Sequence, residues 1–107
     1  MPPYKVQILA PAKKELEEIA EYHFLVVGEN SARRIVQKIL NALERLEEFP
    51  LSCPRVPDEE LKSQDYRILV CEQYICVYRL LGETVFVYHI ASGATEYSNA
   101  GALNAGA

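Results

Sequence analysis

Three strand-like segments follow one another closely in the second half of the chain, and their spacing is the strongest constraint on the fold. They read YRILV, YICVYRL and TVFVYHI, at positions 66–70, 74–80 and 84–90. β-branched and aromatic residues are enriched in strands, and short links such as Leu81 to Glu83 reverse the chain. The segments therefore predict a three-stranded antiparallel meander.

The first half predicts one strand followed by a helix. YKVQIL, from Tyr4 to Leu9, alternates apolar and polar residues with the period of a half-buried strand. Positions 10–27 then carry apolar residues at spacings of three and four, with Pro11 suited to a first helical turn. The predicted buried stripe of this helix consists of Leu16, Ile19, Ala20, His23, Phe24 and Val27.

A second helix is predicted to begin after Gly28. Asn30 or Ser31 offers a capping side chain, and Pro50 disfavours helical geometry in the preceding residue, so the helix should end at Phe49. Two helices joined by so few residues form an antiparallel hairpin.

The order of elements predicts an α+β domain with the helical hairpin packed on one face of a small, mainly antiparallel sheet. Residues 50–65 contain three prolines and mixed charges, which predicts an irregular connector without a buried element. We assign residues 4–97 to a single domain and residues 98–107, which are low in complexity, to a flexible C-terminal tail.

Composition narrows the classes of function. The formal net charge is −4, with seven Lys and Arg against eight Asp and Glu in residues 1–50 and four against seven in residues 51–107. This balance disfavours free nucleic acid as the sole partner, because such affinity comes mostly from basic side chains. Three cysteines without paired spacing disfavour a disulfide framework or a metal site, and no cofactor is expected. The absence of a leader or long apolar run favours a cytoplasmic protein without membrane contact.

The motifs LEEIAEY, ALERLEEFP, VPDEELKSQDYRILV and YICVYRLLGETVFVYHI stand in an order that resembles the RelE/ParE family of type II toxins, also called plasmid stabilisation proteins. The resemblance covers residues 4–97. It implies a RelE-like fold and a small toxin that a cognate antitoxin neutralises in a hetero-oligomer. Some relatives cut messenger RNA on the ribosome without a metal, and others inhibit DNA gyrase.

In this family the last strand typically ends in a motif similar to hGaRDY. The corresponding stretch here runs from Ser92 to Tyr97 and reads SGATEY. The glycine and the tyrosine match, whereas Thr95 stands in place of the arginine and Ser92 in place of the residue before the glycine. The resemblance therefore implies an active-site strand with fewer catalytic groups than the family pattern contains.

Four residues are candidates for RNA cleavage, which needs a base, a cation to stabilise the phosphate, and an acid. They are Arg67, Arg79, His89 and Tyr97. Arg67 is the first choice because the YR pair matches a family position that commonly contacts phosphate. As an exposed strand residue, it should be removable without loss of the fold. Arg67, Glu96 and Tyr97 are also the candidates for binding a target or an antitoxin.

Structural interpretations stand beside these roles. Arg67 would be a solvated arginine paired with a carboxylate, His89 a packed sheet residue, and Tyr97 a packing group against the first helix. His23 is expected to be partly buried, and Cys71 and Cys76 to be small buried apolar residues.

Three functions remain compatible with the sequence. The first, which the incomplete motif slightly favours, is a noncatalytic growth inhibitor of the ParE type that binds a protein such as gyrase. The second is a ribosome-dependent endoribonuclease of the RelE type. The third is a nontoxic fold relative that serves as an antitoxin-binding module.

Overall fold

The computed structural model describes residues 3–93. The strands are β1 (Lys5–Ile8), β2 (Arg67–Cys71), β3 (Tyr74–Leu81) and β4 (Thr84–Ser92). The helices are α1 (Ala10–Val26), α2 (Glu29–Glu44) and the short α3 (Glu59–Ser63), and a 3₁₀ turn at Arg45–Glu47 follows α2. The predicted end of the domain at residue 97 and the tail at 98–107 lie outside the described residues.

The four strands form one mixed sheet in the order β1-β4-β3-β2. The β2–β3 and β3–β4 pairs are antiparallel, which confirms the meander, and β1 runs parallel to β4. Both helices of the hairpin pack on the same face, where α1 contacts β4 and α2 contacts β2. The predicted α+β architecture is therefore confirmed.

The core lies between the hairpin and the sheet. Alternate residues of the two central strands point into it, because successive side chains of a strand face opposite sides. The fully buried side chains here include Ile35, Ile39, Tyr78, Val85 and Val87. The side of the sheet away from the helices is called the far face below.

The end of α1 departs from the predicted pattern. His23 is 7% exposed and bonds through its two ring nitrogens, with Nδ1 3.1 Å from Ser31 Oγ and Nε2 2.7 Å from the Tyr74 hydroxyl. Phe24 and Val27, which were predicted to be buried, are 55% and 70% exposed. Tyr74 is the first residue of β3, so within residues 3–93 no residue of β3 extends beyond His23 to cover the end of α1.

The start and end of α2 also differ from the prediction. Gly28, at a φ of 141°, is the N-cap residue, and both Asn30 and Ser31 lie inside the helix. Ser31 does not cap because its hydroxyl bonds to His23. The helix gives way to the 3₁₀ turn after Glu44, before the predicted end at Phe49.

The connector is more ordered than the sequence predicted. It contains α3, whose N-cap Asp58 accepts hydrogen bonds from the backbone amides of Glu60 and Leu61. It also buries Val56 completely, and the Val56 amide donates to the carbonyl of Tyr66 at 2.9 Å. The connector is therefore packed along the outer edge of β2 through Val56, whereas α3 contains no buried residue, in agreement with the prediction of a connector without a buried element.

Candidate functional site

The described candidate residues lie on different sides of the sheet. Arg67 and Leu69 share one face of β2, as strand parity predicted, and this face is the helix side. Arg79 follows the buried Tyr78 in β3 and points to the far face. His89 lies near the end of β4, beside α1. Tyr97 and Glu96 lie outside the described residues. The described candidates do not converge on one site.

Arg67 holds the connector against the sheet. Its Nη1 donates to the carbonyls of Cys53 at 2.7 Å and Leu51 at 3.3 Å, and its Nη2 contacts Asp65 Oδ1 at 3.1 Å. Only 14% of its side chain is exposed. The expectation of an exposed arginine was therefore wrong, because the guanidinium donates to two carbonyls of the connector and contacts Asp65.

Arg79 is held on the far face by two tyrosines. Its guanidinium carbon lies 4.4 Å from the ring centroid of Tyr66 and 5.6 Å from that of Tyr88. Its Nη2 donates to the Tyr88 hydroxyl at 3.1 Å, and the two rings meet edge to face with centroids 5.1 Å apart. We call these three residues the arginine cluster. Cation–π contacts of this kind fix the plane of the guanidinium.

Tyr66 and Tyr88 were not predicted to be site residues. Tyr66 precedes Arg67, so the alternation of β2 places it on the face opposite the buried guanidinium. The position of Tyr88 depends on a β-bulge in β4. Tyr78 pairs with Val87, and Val77 pairs with His89, so Tyr88 is the extra residue of the bulge. The only signal in the sequence was the repeated pairing of tyrosine with a basic residue.

The arginine cluster provides a fixed positive charge. The hydrogen bond to the Tyr88 hydroxyl raises the pKa of Arg79, and an arginine guanidinium carries its positive charge in proteins in any case. Within the described residues its Nε is buried without a hydrogen-bond partner. A planar cation beside a phenol hydroxyl suits an anionic oxygen, whether in a carboxylate or in a phosphate.

His89 contacts α1 at the edge of β4, beyond the end of the pairing with β1. Its Nδ1 lies 3.3 Å from Glu15 Oε1, and the same carboxylate oxygen accepts a hydrogen bond from the Ile90 amide at 3.0 Å. β1 pairs with β4 only as far as Val87, so it does not reach the Ile90 amide. Glu15 accepts the hydrogen bond from this amide in its place. His89 thus takes part in joining α1 to β4.

All three cysteines are free thiols, with Cys76 in the core and Cys53 and Cys71 packed against it. Cys76 is fully buried, and burial raises the pKa of its thiol to about 12. Burial also raises the pKa of Cys71, which is partly buried at the end of β2. Cys76 therefore fits its predicted role as a small buried apolar residue, and Cys71 is less buried than predicted. Within residues 3–93 no group of three or more His, Cys, Asp or Glu side chains could hold a metal ion, and no helix there is long and apolar enough to cross a membrane.

Comparison with known proteins identifies the fold and the family. The chain is similar to a structure of the chromosomal ParDE toxin–antitoxin system from P. aeruginosa, with a TM-score of 0.72 and 18% identity over 87% of this chain and 99% of that one. It is also similar to the RelBE2 toxin–antitoxin complex from Mycobacterium tuberculosis, with a TM-score of 0.63 and 18% identity over 84% of this chain and 98% of that one. No curated protein sequence matches significantly.

At such low identity these two structures establish only the fold. The family rests on a sequence model, that of the ParE toxin of type II toxin–antitoxin systems (parDE), which matches residues 6–97. The match includes both helices of the hairpin and all of β2, β3 and β4. The chain therefore belongs to the ParE toxin family of type II toxin–antitoxin systems.

Proposed function

We propose that this chain inhibits growth by binding a protein target in the cytoplasm without cutting RNA, and that a cognate antitoxin neutralises it. DNA gyrase is the target that the ParE family implies. The observation that carries the proposal is the arginine cluster, in which Tyr66 and Tyr88 fix the guanidinium of Arg79 on the far face. A preorganised cation of this kind recognises an acidic group on a protein surface at little entropic cost.

The positions of the histidines support binding over catalysis. Cleavage by a ribose hydroxyl needs a base and an acid besides a cation, and histidine suits proton transfer near neutral pH. His23 is buried between Ser31 and Tyr74, and His89 contacts Glu15 beside α1. The contacts of Arg79 in the arginine cluster are with tyrosines, and within the described residues no histidine or carboxylate makes a hydrogen bond or an ion pair with it.

Pulse-labelling after induction tests the target. We expect incorporation of labelled thymidine to fall within minutes, before incorporation of labelled methionine, because a gyrase-type target acts on replication first. The matched control is the same chain with Arg79→Ala, induced to the same level. An early fall in methionine incorporation, with primer extension showing cuts at decoding-site codons, would instead establish the RelE-like endoribonuclease.

Replacement of His89 distinguishes inhibition by binding from inhibition by RNA cleavage. We expect His89→Gln to change growth inhibition by less than about twofold, since its described contacts are with α1 and glutamine retains a hydrogen-bonding group. Colony counts after induction measure the effect. Loss of toxicity in a His89→Gln variant with an unchanged melting temperature would contradict the noncatalytic mechanism.

Coexpression tests the partner. We expect the product of the adjoining reading frame to relieve growth inhibition and to copurify with this chain. If the chain is harmless at high expression and nothing encoded beside it copurifies, it is a nontoxic fold relative, and the proposed function is wrong.

A further inference from the structure

A cleft separates α1 from the ends of the two central strands. Its volume is about 480 Å³, which falls within the range of binding sites in proteins. Glu15, Glu18 and Tyr22 line it from α1, while Tyr74 and Ile90 line it from β3 and β4. The three α1 residues are spaced by three and four positions, so they form one stripe along the helix. The cleft therefore runs parallel to α1.

The cleft continues into an exposed apolar surface at the end of α1. Leu25 and Val26 follow Tyr22 by about one helical turn and are 71% and 62% exposed, and Tyr22 itself is 59% exposed. These side chains lie beyond the strands, where His23 makes the last buried contact. Large apolar side chains grouped on a surface mark interaction sites more often than isolated ones do.

The opposite end of the cleft is acidic. The Glu15 carboxylate contacts His89 and accepts a hydrogen bond from the Ile90 amide. Glu18 is exposed and takes part in no ion pair within residues 3–93. The whole chain carries a net charge of −4, so a second copy would bring mainly like charge to this end. Like charges across an interface cost binding energy, which favours a basic occupant over a second copy.

We propose that this cleft binds a segment of the antitoxin that carries a lysine or arginine beside Glu18 and apolar side chains over Leu25 and Val26. This inference rests on the proposed function, which supplies the antitoxin. Seven residues of α1 separate Glu18 from Leu25, a distance of about 10 Å along the helix. The basic and apolar groups of the segment must have the same separation, which is about two turns of a helix or three extended residues.

The antitoxin and the protein target would then bind different surfaces of the chain, the cleft and the arginine cluster. Tyr74 and Ile90 belong to the helix side of the sheet, whereas the arginine cluster lies on the far face. The cleft is acidic at one end and the cluster is cationic. A change of charge in the cleft should therefore alter neutralisation by the antitoxin without altering growth inhibition by the free toxin.

Two pairs of variants test the cleft, with the coexpressed antitoxin as the probe. Glu18→Lys is matched by Glu17→Lys, which makes the same charge change one position away, outside the cleft. Leu25→Asn is matched by Leu51→Asn, in a leucine of the connector that is 54% exposed. We expect Glu18→Lys and Leu25→Asn each to weaken antitoxin binding by about tenfold or more in calorimetric titration, and each control to change it by less than about twofold.

Growth assays provide a second readout. Cells that express the Glu18→Lys toxin with the antitoxin should stop growing, whereas cells with the Glu17→Lys toxin and the antitoxin should grow. If the two variants of each pair bind the antitoxin with equal affinity, the cleft is not its binding site, and the proposed function remains intact. A wild-type chain that forms no complex with the antitoxin would overturn both. A wild-type dimer that Leu25→Asn dissociates, detected by sedimentation, would assign the apolar surface to a second copy and overturn the proposal.

Discussion

Replacement of Arg67 by alanine is expected to lower the free energy of unfolding by about 2–3 kcal/mol. The change leaves the carbonyls of Leu51 and Cys53 without their described side-chain donor, and hydrogen bonds to charged groups contribute about 1.5–3 kcal/mol. For a domain of this size the melting temperature should fall by about 10–20 °C. Thermal unfolding followed by circular dichroism measures the shift.

Arg55 provides the matched control for this experiment. It contacts the same carboxylate, with Nε 3.4 Å from Asp65 Oδ1, but 51% of its side chain is exposed. Exposed ion pairs contribute about 0–1 kcal/mol, so Arg55→Ala should lower the melting temperature by only a few degrees. Similar shifts for Arg55→Ala and Arg67→Ala would contradict the view that Arg67 holds the connector.

Replacement of Arg79 by alanine is expected to abolish growth inhibition while the protein stays folded. Removal of one partner of a buried charged contact across an interface costs about 2–5 kcal/mol, which lowers the affinity for the target by at least about 30-fold. Within the fold the side chain contributes mainly its contacts with the two tyrosines, about 1 kcal/mol. Colony counts after induction, together with a melting curve of the purified variant, measure both effects.

Arg33→Ala is the control for the loss of one positive charge. Arg33 lies on α2 with 76% of its side chain exposed, and its described ion pair is with Glu29 on the same helix. Its removal should leave growth inhibition unchanged. Arg79→Lys keeps the charge but loses the planar stacking, so it should restore only part of the activity. Full toxicity of a folded Arg79→Ala variant would show that the arginine cluster has no part in growth inhibition.

Much of the fold could be predicted because alternation and turn spacing are local properties of the sequence. The meander, the hairpin and the parity of Arg67 with Leu69 all follow from such patterns. Parity alone could not tell which face of β2 the helices cover, and this choice decides whether Arg67 is exposed or buried. In the structure the Arg67 guanidinium lies under the connector and donates to the carbonyl of Cys53. The three prolines of the connector had predicted a segment without such contacts.

The candidate site was less predictable because its geometry depends on contacts between distant segments. Tyr66 and Tyr88 meet around Arg79 only when the register of both strand pairs is known, and the bulge at Tyr88 leaves no recognisable signal in the sequence. Ser31 illustrates the same limit. Its position suggested a helix cap, but its hydroxyl bonds to His23 from the preceding helix. Local propensity cannot anticipate a tertiary hydrogen bond that competes with it.

The parallel pairing of β1 with β4 has a consequence for synthesis of the chain on the ribosome. Lys5 pairs with Thr84, so β1, the first of the described strands, finds its partner only after β4, the last of them, has been translated. At about 5–20 residues per second, the intervening segment takes roughly 4–16 s to make. Tyr88, which completes the arginine cluster, also belongs to that last strand. The arginine cluster therefore forms only after β4 has been translated, and the preceding strands cannot assemble it by themselves.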